Sequence, residues 1–412
     1  MRTLYLCYFG LREPLVQTQV LPYLRQLAGA GIGVCLLTFE PAGKDRWTEY
    51  EKTEWQARLQ ADGIIWHSAR YHKRPRLLVT LYDIAAGAWR ALGIVRRHKI
   101  SVLHARAHVP LAMALIIRRL TGCRLVFDIR GLMAEEYVDA GALAEGSMIF
   151  RLIKRLERAG IRRADQVVVL TQRLRDWLGR QGVEIDKVEV IPCCVDFSRF
   201  ADCPPDSART DPGTFEVIYA GAAAGLYMVE EMALFFLALR ALKPEAFLRI
   251  LTATPRDSVV AALERAGLTE RDFAVERVSA EQVPAYLRRA RLGVSFRKLT
   301  FSQIAASPTK IPEYLAAGLP VVCSAGVGDT DELVENEGVG IVIRSFDSKA
   351  YAEAAENVLR IIEDPALYDR CRRVARQRFD LERVGARGYC QVYRRIQSRL
   401  HSEKPALAPG HE

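Results

Sequence analysis

Half of the 412 residues are apolar and 26% are charged, and mean hydropathy is near zero. That balance excludes a disordered or fibrous chain and, at roughly 150 residues per domain, leaves room for two domains or three. The 59 Lys and Arg outnumber the 49 Asp and Glu, giving a net charge of +10. No run reaches the roughly 18 uncharged apolar residues of a membrane span; the best candidate, 77–95, is interrupted by Asp83 and Arg90.

Met1 to Phe9 read as a buried strand over 3–9. A secretory signal would need a longer apolar stretch and a small-residue cleavage site, so the cytoplasm is the expected setting. Strand patterns follow at 32–38, 63–66, 101–104, 124–129, 166–170 and 187–191, with helical periods between most of them. The rhythm restarts after 213, with strands at 215–220, 247–252, 272–276, 291–295, 319–323 and 339–343. Short apolar runs separated by helices describe βαβ units and parallel sheets. Thirteen strands are too many for one ordinary sheet, and the stretch 201–214, with three Pro and no apolar period, marks a break. The predicted fold is α/β, with two doubly wound domains over 1–200 and 213–379. A last helix within 380–400, apolar at Val384, Tyr389, Val392, Tyr393, Ile396 and Leu400, is placed to fold back onto the first domain. Residues 402–412 read as a loose tail.

The basic excess is uneven. Residues 68–106 carry Arg70, Lys73, Arg74, Arg76, Arg90, Arg96, Arg97, Lys99 and Arg106 against Asp83 alone, and a second basic stretch runs from Arg151 to Arg163. Such surface suits nucleic acid, anionic lipid or a phosphorylated substrate. The predicted helix 76–97 presents Leu77, Leu78, Leu81, Ile84, Ala88, Trp89, Leu92 and Val95 on one broad face. It reads as a helix packed on the first sheet or as an amphipathic patch on an anionic membrane. None of the nine Cys stands in a Cys-x-x-Cys pair, which describes reduced, packed thiols and no zinc-ligand spacing.

In open α/β domains ligands bind beyond the carboxyl ends of strands, and three loops there stand out. Gly10, followed by Gln17 and Gln19 before a helix, can present free N–H groups to an anion or form a plain turn. Gly221, ahead of Ala222, Ala223, Ala224 and Tyr227, lets a ligand approach the backbone or a helix pack tightly. The run Ser307-Pro308-Thr309-Lys310-Ile311-Pro312-Glu313 reads as a loop entering a short helix, with Thr309 as N-cap and Pro312 in the first turn. Lys310 is then suited to a phosphate and Glu313 to ribose hydroxyls, against an ordinary helix pair of the two.

Ser307 to Val322 resembles the donor-binding segment of family 4 retaining glycosyltransferases. Val190-Ile191-Pro192-Cys193-Cys194-Val195-Asp196 resembles that family's turn at the end of its first domain, and Pro14 to Leu24 its first loop and helix. The resemblance implies the GT-B fold: two Rossmann-like domains facing a cleft, the nucleotide sugar on the second and the acceptor on the first. It also implies transfer with retention and without a metal or cofactor, since protein cations stabilise the leaving diphosphate.

This sequence departs from the family in three places. Of its paired glutamates only Glu313 is present, with Ala305 at the first position. The Arg that follows the first strand of the second domain is absent, which leaves Arg297 or Lys298 to supply that charge. Arg130 of Asp128-Ile129-Arg130-Gly131 stands where members often have a His, with Glu135 and Glu136 following. The residues implied as catalytic are Arg130, Lys310 and Glu313. Those implied at the donor are Gly10, Gln17, Gln19, Gly221, Tyr227, Arg297, Ser307 and Thr309, beside Lys310 and Glu313. On the acceptor side are His104, Arg106, His108 and Glu135. The expected partners are a nucleoside diphosphate sugar, a glycan or lipid-linked acceptor and the inner face of an anionic membrane, with no nucleic acid. Rival readings are an epimerase of the nucleotide sugar on the same fold, a basic binding protein and a silent partner subunit.

Overall fold

The computed structural model describes residues 1–41, 46–72, 76–201 and 215–402. The predicted break beyond Ala201, the tail from 403 onward, and Lys73 and Arg74 of the basic stretch lie outside the described residues.

Seven strands form the first sheet: β1 Arg2–Cys7, β2 Gly33–Glu40, β3 Ile64–Arg70, β4 Val102–Arg106, β5 Arg124–Asp128, β6 Gln166–Val169 and β7 Val188–Val190. Six form the second: β8 Phe215–Ala220, β9 Ala246–Leu251, β10 Phe273–Glu276, β11 Leu292–Ser295, β12 Val321–Ser324 and β13 Gly340–Ile343. The strand orders are β3-β2-β1-β4-β5-β6-β7 and β10-β9-β8-β11-β12-β13, and the neighbours within each sheet run parallel. Helices cover both faces of each sheet. In β1, Leu4 and Leu6 enter one core and Tyr5 and Cys7 the other. Burial on both sides is why these strands read as unbroken apolar runs.

Strand order reverses between β1 and β4 in the first sheet and between β8 and β11 in the second. A crevice opens at such a switch point because the flanking connections leave to opposite sides of the sheet. The loops that border the two crevices follow Cys7, Arg106, Ala220 and Ser295.

The chain end returns as expected. After a π-helical turn over Leu381–Ala386, the helix Arg387–Ser402 packs on the first sheet. Tyr389 Oη donates to Asp128 Oδ2 at 2.9 Å, and Tyr393 Oη lies 2.9 Å from both Thr3 Oγ1 and His104 Nδ1. The two halves also meet directly. Thr171 Oγ1 donates to the Ile304 carbonyl, and Asp329 receives the backbone N–H groups of Gln172 and Arg173 at 2.7 and 3.1 Å.

The helix Arg76–His98 differs in detail from its sequence reading. Ala88, Ala91, Leu92, Ile94 and Val95 are buried, but Leu81 and Trp89 are 51% and 79% exposed. Asp83, which interrupts the apolar run, is buried and holds Tyr8 Oη and His72 Nδ1, each at 2.6 Å. Among the described residues no helix is long and apolar enough to cross a membrane.

Candidate active site

The second-domain wall is built around Lys310. The residue opens the helix Lys310–Ala316, is 3% exposed, and makes no ion pair among the described residues. Its ammonium lies instead over aromatic rings, 3.8 Å from the centroid of Tyr227 and 4.8 Å from that of Tyr219. Burial pushes its pKa below the ordinary lysine value, and the nearby Arg297 pushes the same way. Arg297, two residues beyond β11, reaches the same tyrosine: Nη1 donates to Tyr227 Oη at 3.1 Å and Nε to Gln303 Oε1 at 2.5 Å. Two cations therefore press on one tyrosine. Burial would raise the pKa of Tyr227, but Lys310 and then Arg297 outweigh it and draw that pKa down.

Gly221 follows β8 at φ +136°, and a Cβ there would lie 3.2 Å from both Cε and Nζ of Lys310. A side chain would be strained and would press on the ammonium, so glycine is needed on both counts. Glu313, one turn into the helix, is paired with Arg199 Nη1 at 3.0 Å, and Arg199 Nη2 is anchored on the Ala280 carbonyl. Thr309 does not cap the helix as its residue type suggests: it is itself in the helical region and its side chain makes no cap bond. Ser307 Oγ accepts from Cys193 N at 3.1 Å, which joins the segment ahead of the Lys310 helix to the first domain.

On the facing wall Asp128, wholly buried at the end of β5, gathers the polar groups. It lies 3.5 Å from Arg130 Nη1, 3.6 Å from Arg106 Nη1 and 3.7 Å from His104 Nε2. Burial would raise its pKa, but Arg130, His104 and Arg106 together hold the carboxyl well below the usual range. Arg130 is turned toward the turn after β7, with Nη2 3.3 Å from Cys193 Sγ. Glu136 sits over Gly131, where a Cβ would meet its carboxylate. Burial raises the pKa of Glu136, and Arg297 of the other domain opposes that rise.

Lys310, Arg297, Tyr227 and Gly221 thus cluster on the second wall, with Arg130 on the first and Glu313 beside them. Other predicted residues lie elsewhere. His104 is buried against Tyr393, Arg106 against Tyr5 and Asp128, and His108 against Glu157 at 3.0 Å, so these three side chains serve the interior of the first domain. Glu135 pairs with Lys154 at 2.7 Å. Gln17 Nε2 donates to the Leu11 carbonyl and Gln19 Nε2 to that of Cys194, both bracing the first loop. The Gly10 loop is shaped by buried Glu40, which receives Leu11 N at 2.9 Å and Trp47 Nε1 at 2.7 Å. Sequence reading did not assign Cys193, Arg199 or Glu136 to the site. Only the pair of acidic residues after Arg130 signalled the last of these.

Two parallel doubly wound domains with paired switch points and a returning helix define the GT-B class of fold. The comparisons with known proteins are more specific. Residues 16–194 match the model of the glycosyl transferase 4-like domain, and 215–361 match glycosyl transferases group 1. The chain belongs to the family 4, or group 1, glycosyltransferases. Among solved structures, sucrose-phosphate synthase from Thermosynechococcus elongatus superposes with a TM-score of 0.70 at 16% identity, covering 97% of this chain and 100% of that one. HepE from Anabaena, in complex with UDP and glucose, gives 0.65 at 17% identity over 98% and 100%. The lipopolysaccharide outer core galactosyltransferase WaaB in its apo form gives 0.61 at 12% identity, again over 98% and 100%. No curated protein matches the sequence.

Proposed function

We propose that the protein transfers a sugar, with retention of anomeric configuration, from a nucleoside diphosphate sugar to a glycan or lipid-linked acceptor in bacterial surface polysaccharide synthesis. The observation that carries this reading is the pair Lys310 and Arg297 lodged against Tyr227 at the second switch point. A buried ammonium without a carboxylate is costly, by several kcal/mol when fully desolvated. A diphosphate would supply the missing anion, and the narrow turn at Gly221 would let it reach the backbone. UDP bound to the similar HepE fold supports the same choice of ligand.

In this reading Glu313, steadied by Arg199, takes the ribose hydroxyls. Lys310 and Arg297 neutralise the leaving diphosphate, so neither a metal nor a cofactor is required. The bond between the sugar anomeric carbon and the phosphate oxygen breaks while the acceptor oxygen bonds to the same face. The acceptor proton passes to the departing phosphate. Arg130 faces the reacting centre and cannot act as a base; Glu136 receives an acceptor or sugar hydroxyl.

The acceptor enters over the first domain. Beside the Gly10 loop, at the carboxyl ends of β2 and β3, a cavity is lined by Arg46, Lys52, Arg70 and Arg90, which suits an acceptor bearing phosphate. Three helices of this domain, Arg76–His98, His108–Thr121 and Met148–Arg163, expose Trp89, Leu120, Met148 and Leu152 among Arg90, Arg119, Arg151 and Arg155. That mixture suits the inner face of an anionic membrane.

The test is a thermal-shift series with uridine, guanosine and adenosine diphosphates, followed by product analysis with the sugar form of the best binder. Lys310→Ala and Glu313→Ala should each lower transfer by at least about tenfold. Near-wild-type rates in both would remove the donor-site assignment.

A further inference from the structure

The outer edge of the first sheet holds three side chains that the transfer chemistry leaves unused. Cys35 lies on β2 and His67 on β3, with Cys35 opposite Ile65 and Leu37 opposite His67. Residues two apart share a face, so Cys35 and His67 point to the same side, one diagonal step apart. His98 ends the helix Arg76–His98, which covers that face. One potential ligand atom from each residue lies within 4.8 Å of the other two. Cys35 is a free thiol, 2% exposed. The Nε2 atoms of His67 and His98 are both buried without a hydrogen-bond partner. Two such atoms, on rings whose centroids lie 5.2 Å apart, call for a common partner, because buried polar groups are seldom left unmatched.

We propose that Cys35, His67 and His98 form a binding site for a borderline-soft transition-metal ion, best matched by Zn2+, separate from the transfer cleft. One thiolate and two imidazoles are a tetrahedral zinc set with water in the fourth place. Bonds of about 2.3 Å to sulfur and about 2.0 Å to nitrogen place the ligand atoms roughly 3.3 to 3.6 Å apart, a contraction of at most about 1.5 Å from the present limit. Magnesium and calcium, which prefer oxygen ligands, do not fit.

Arg2, Arg90 and Arg97 all face the cluster and repel a dication. Ion binding therefore goes with loss of the Cys35 thiol proton to solvent, the thiolate offsetting one positive charge. His67 and His98 each offer a buried, unpartnered Nε2 as the nitrogen donor. Cys35 sits in the amino-terminal half of β2, away from the carboxyl ends that border the cleft. The ion would tie the end of a long helix to two edge strands, and so acts on stability rather than on transfer.

The test strips the full-length chain with a chelator and titrates it with Co2+ alone, as a spectroscopic stand-in. The expected result is one ion per chain with thiolate-to-cobalt charge-transfer absorption, displacement by Zn2+, release of one proton per ion and a higher melting temperature. Cys35→Ser should abolish the charge-transfer band, and His67→Gln and His98→Gln should each weaken binding by at least about tenfold. Absence of that band in the wild type overturns the site, as does its persistence at full strength in Cys35→Ser. If Cys35→Ser does not fold by circular dichroism, the two histidine variants decide, and unchanged affinity in both overturns the proposal.

Discussion

Lys310 lies where its charge is disfavoured, and that has a measurable sign. In the unfolded chain it binds its proton up to the ordinary value of 10.5; in the folded chain burial lowers that limit. Between the two values the unfolded state holds more protons, so the ligand-free protein gains stability as pH rises. A bound diphosphate restores the charged form and takes up a proton, so affinity should fall across the same window. Lys310→Met should therefore raise the urea midpoint of the ligand-free protein, by roughly 1 kcal/mol or more in stability. It should also flatten the alkaline rise and abolish stabilisation by a nucleoside diphosphate. A destabilised, ligand-free Lys310→Met would contradict the desolvation argument. Ala107 offers a second test at this scale. It follows β4 at φ +65° and ψ −172°, a conformation that favours glycine. Such strain costs on the order of 1–3 kcal/mol, so Ala107→Gly should stabilise the protein by about 1 kcal/mol in equilibrium unfolding. Residue types pointed to Lys310 and Glu313, because a lysine and a carboxylate at a helix start suit phosphate and ribose. They named Glu135 for the acceptor side and not its neighbour Glu136; in the fold Glu135 is held by Lys154 while Glu136 feels Arg297, a difference that only tertiary packing sets.

Elements were more legible than single contacts. Twelve of the thirteen strands stand within a residue or two of their predicted places, because strands buried on both faces must be apolar at consecutive positions; β3 runs four residues past its predicted end, over the half-buried His67, Ser68, Ala69 and the exposed Arg70. Helix faces were read less well. The stripe on Arg76–His98 was broad enough to include Leu81 and Trp89, which are exposed, whereas Ala88, Ala91 and Val95 turn inward to a core shared with β1, β2 and the helix His108–Thr121. The cluster of residues 35, 67 and 98 had no local signature, since it is assembled from two strands and a helix end. The helix Met148–Arg163 buries Lys154, Glu157, Gly160 and Ile161 and leaves Met148, Leu152, Arg151 and Arg155 outside. If that face rests on lipid, each arginine contributes about 1 kcal/mol near an anionic surface. Replacing Arg151 and Arg155 together by Glu should lower partitioning onto vesicles of anionic lipid at low salt by at least about tenfold, measured by flotation. Transfer to a soluble acceptor should be unchanged. Equal flotation of the variant and the wild type would sink the membrane contact.

At the scale of the whole molecule, the cleft exists because two independently cored sheets are held in register. One direct clasp is compact. Asp329 of the second domain receives the first N–H groups of the helix Gln172–Arg180 of the first, at 2.7 and 3.1 Å. Arg173 of that helix returns the contact to Asp331 and Glu332 at 3.0 and 2.9 Å. A carboxylate from one domain thus caps a helix of the other, where the unpaired N–H groups and the helix dipole both favour negative charge. None of these groups touches Lys310, Arg297 or Arg130, so the clasp acts on the spacing of the walls rather than on the chemistry. Loss of a helix cap costs about 1 kcal/mol, which is roughly a fivefold change in an equilibrium between closed and opened arrangements. Asp329→Ala should accordingly raise the donor KM by about fivefold and increase the radius of gyration in solution scattering. The rate at saturating donor should fall much less than in Lys310→Ala, because on the proposed reading a donor held between Lys310 and Arg130 would itself draw the walls together. Should Asp329→Ala instead lower kcat as severely as Lys310→Ala, with KM and radius unchanged, Asp329 would belong to the reacting centre and not to the clasp.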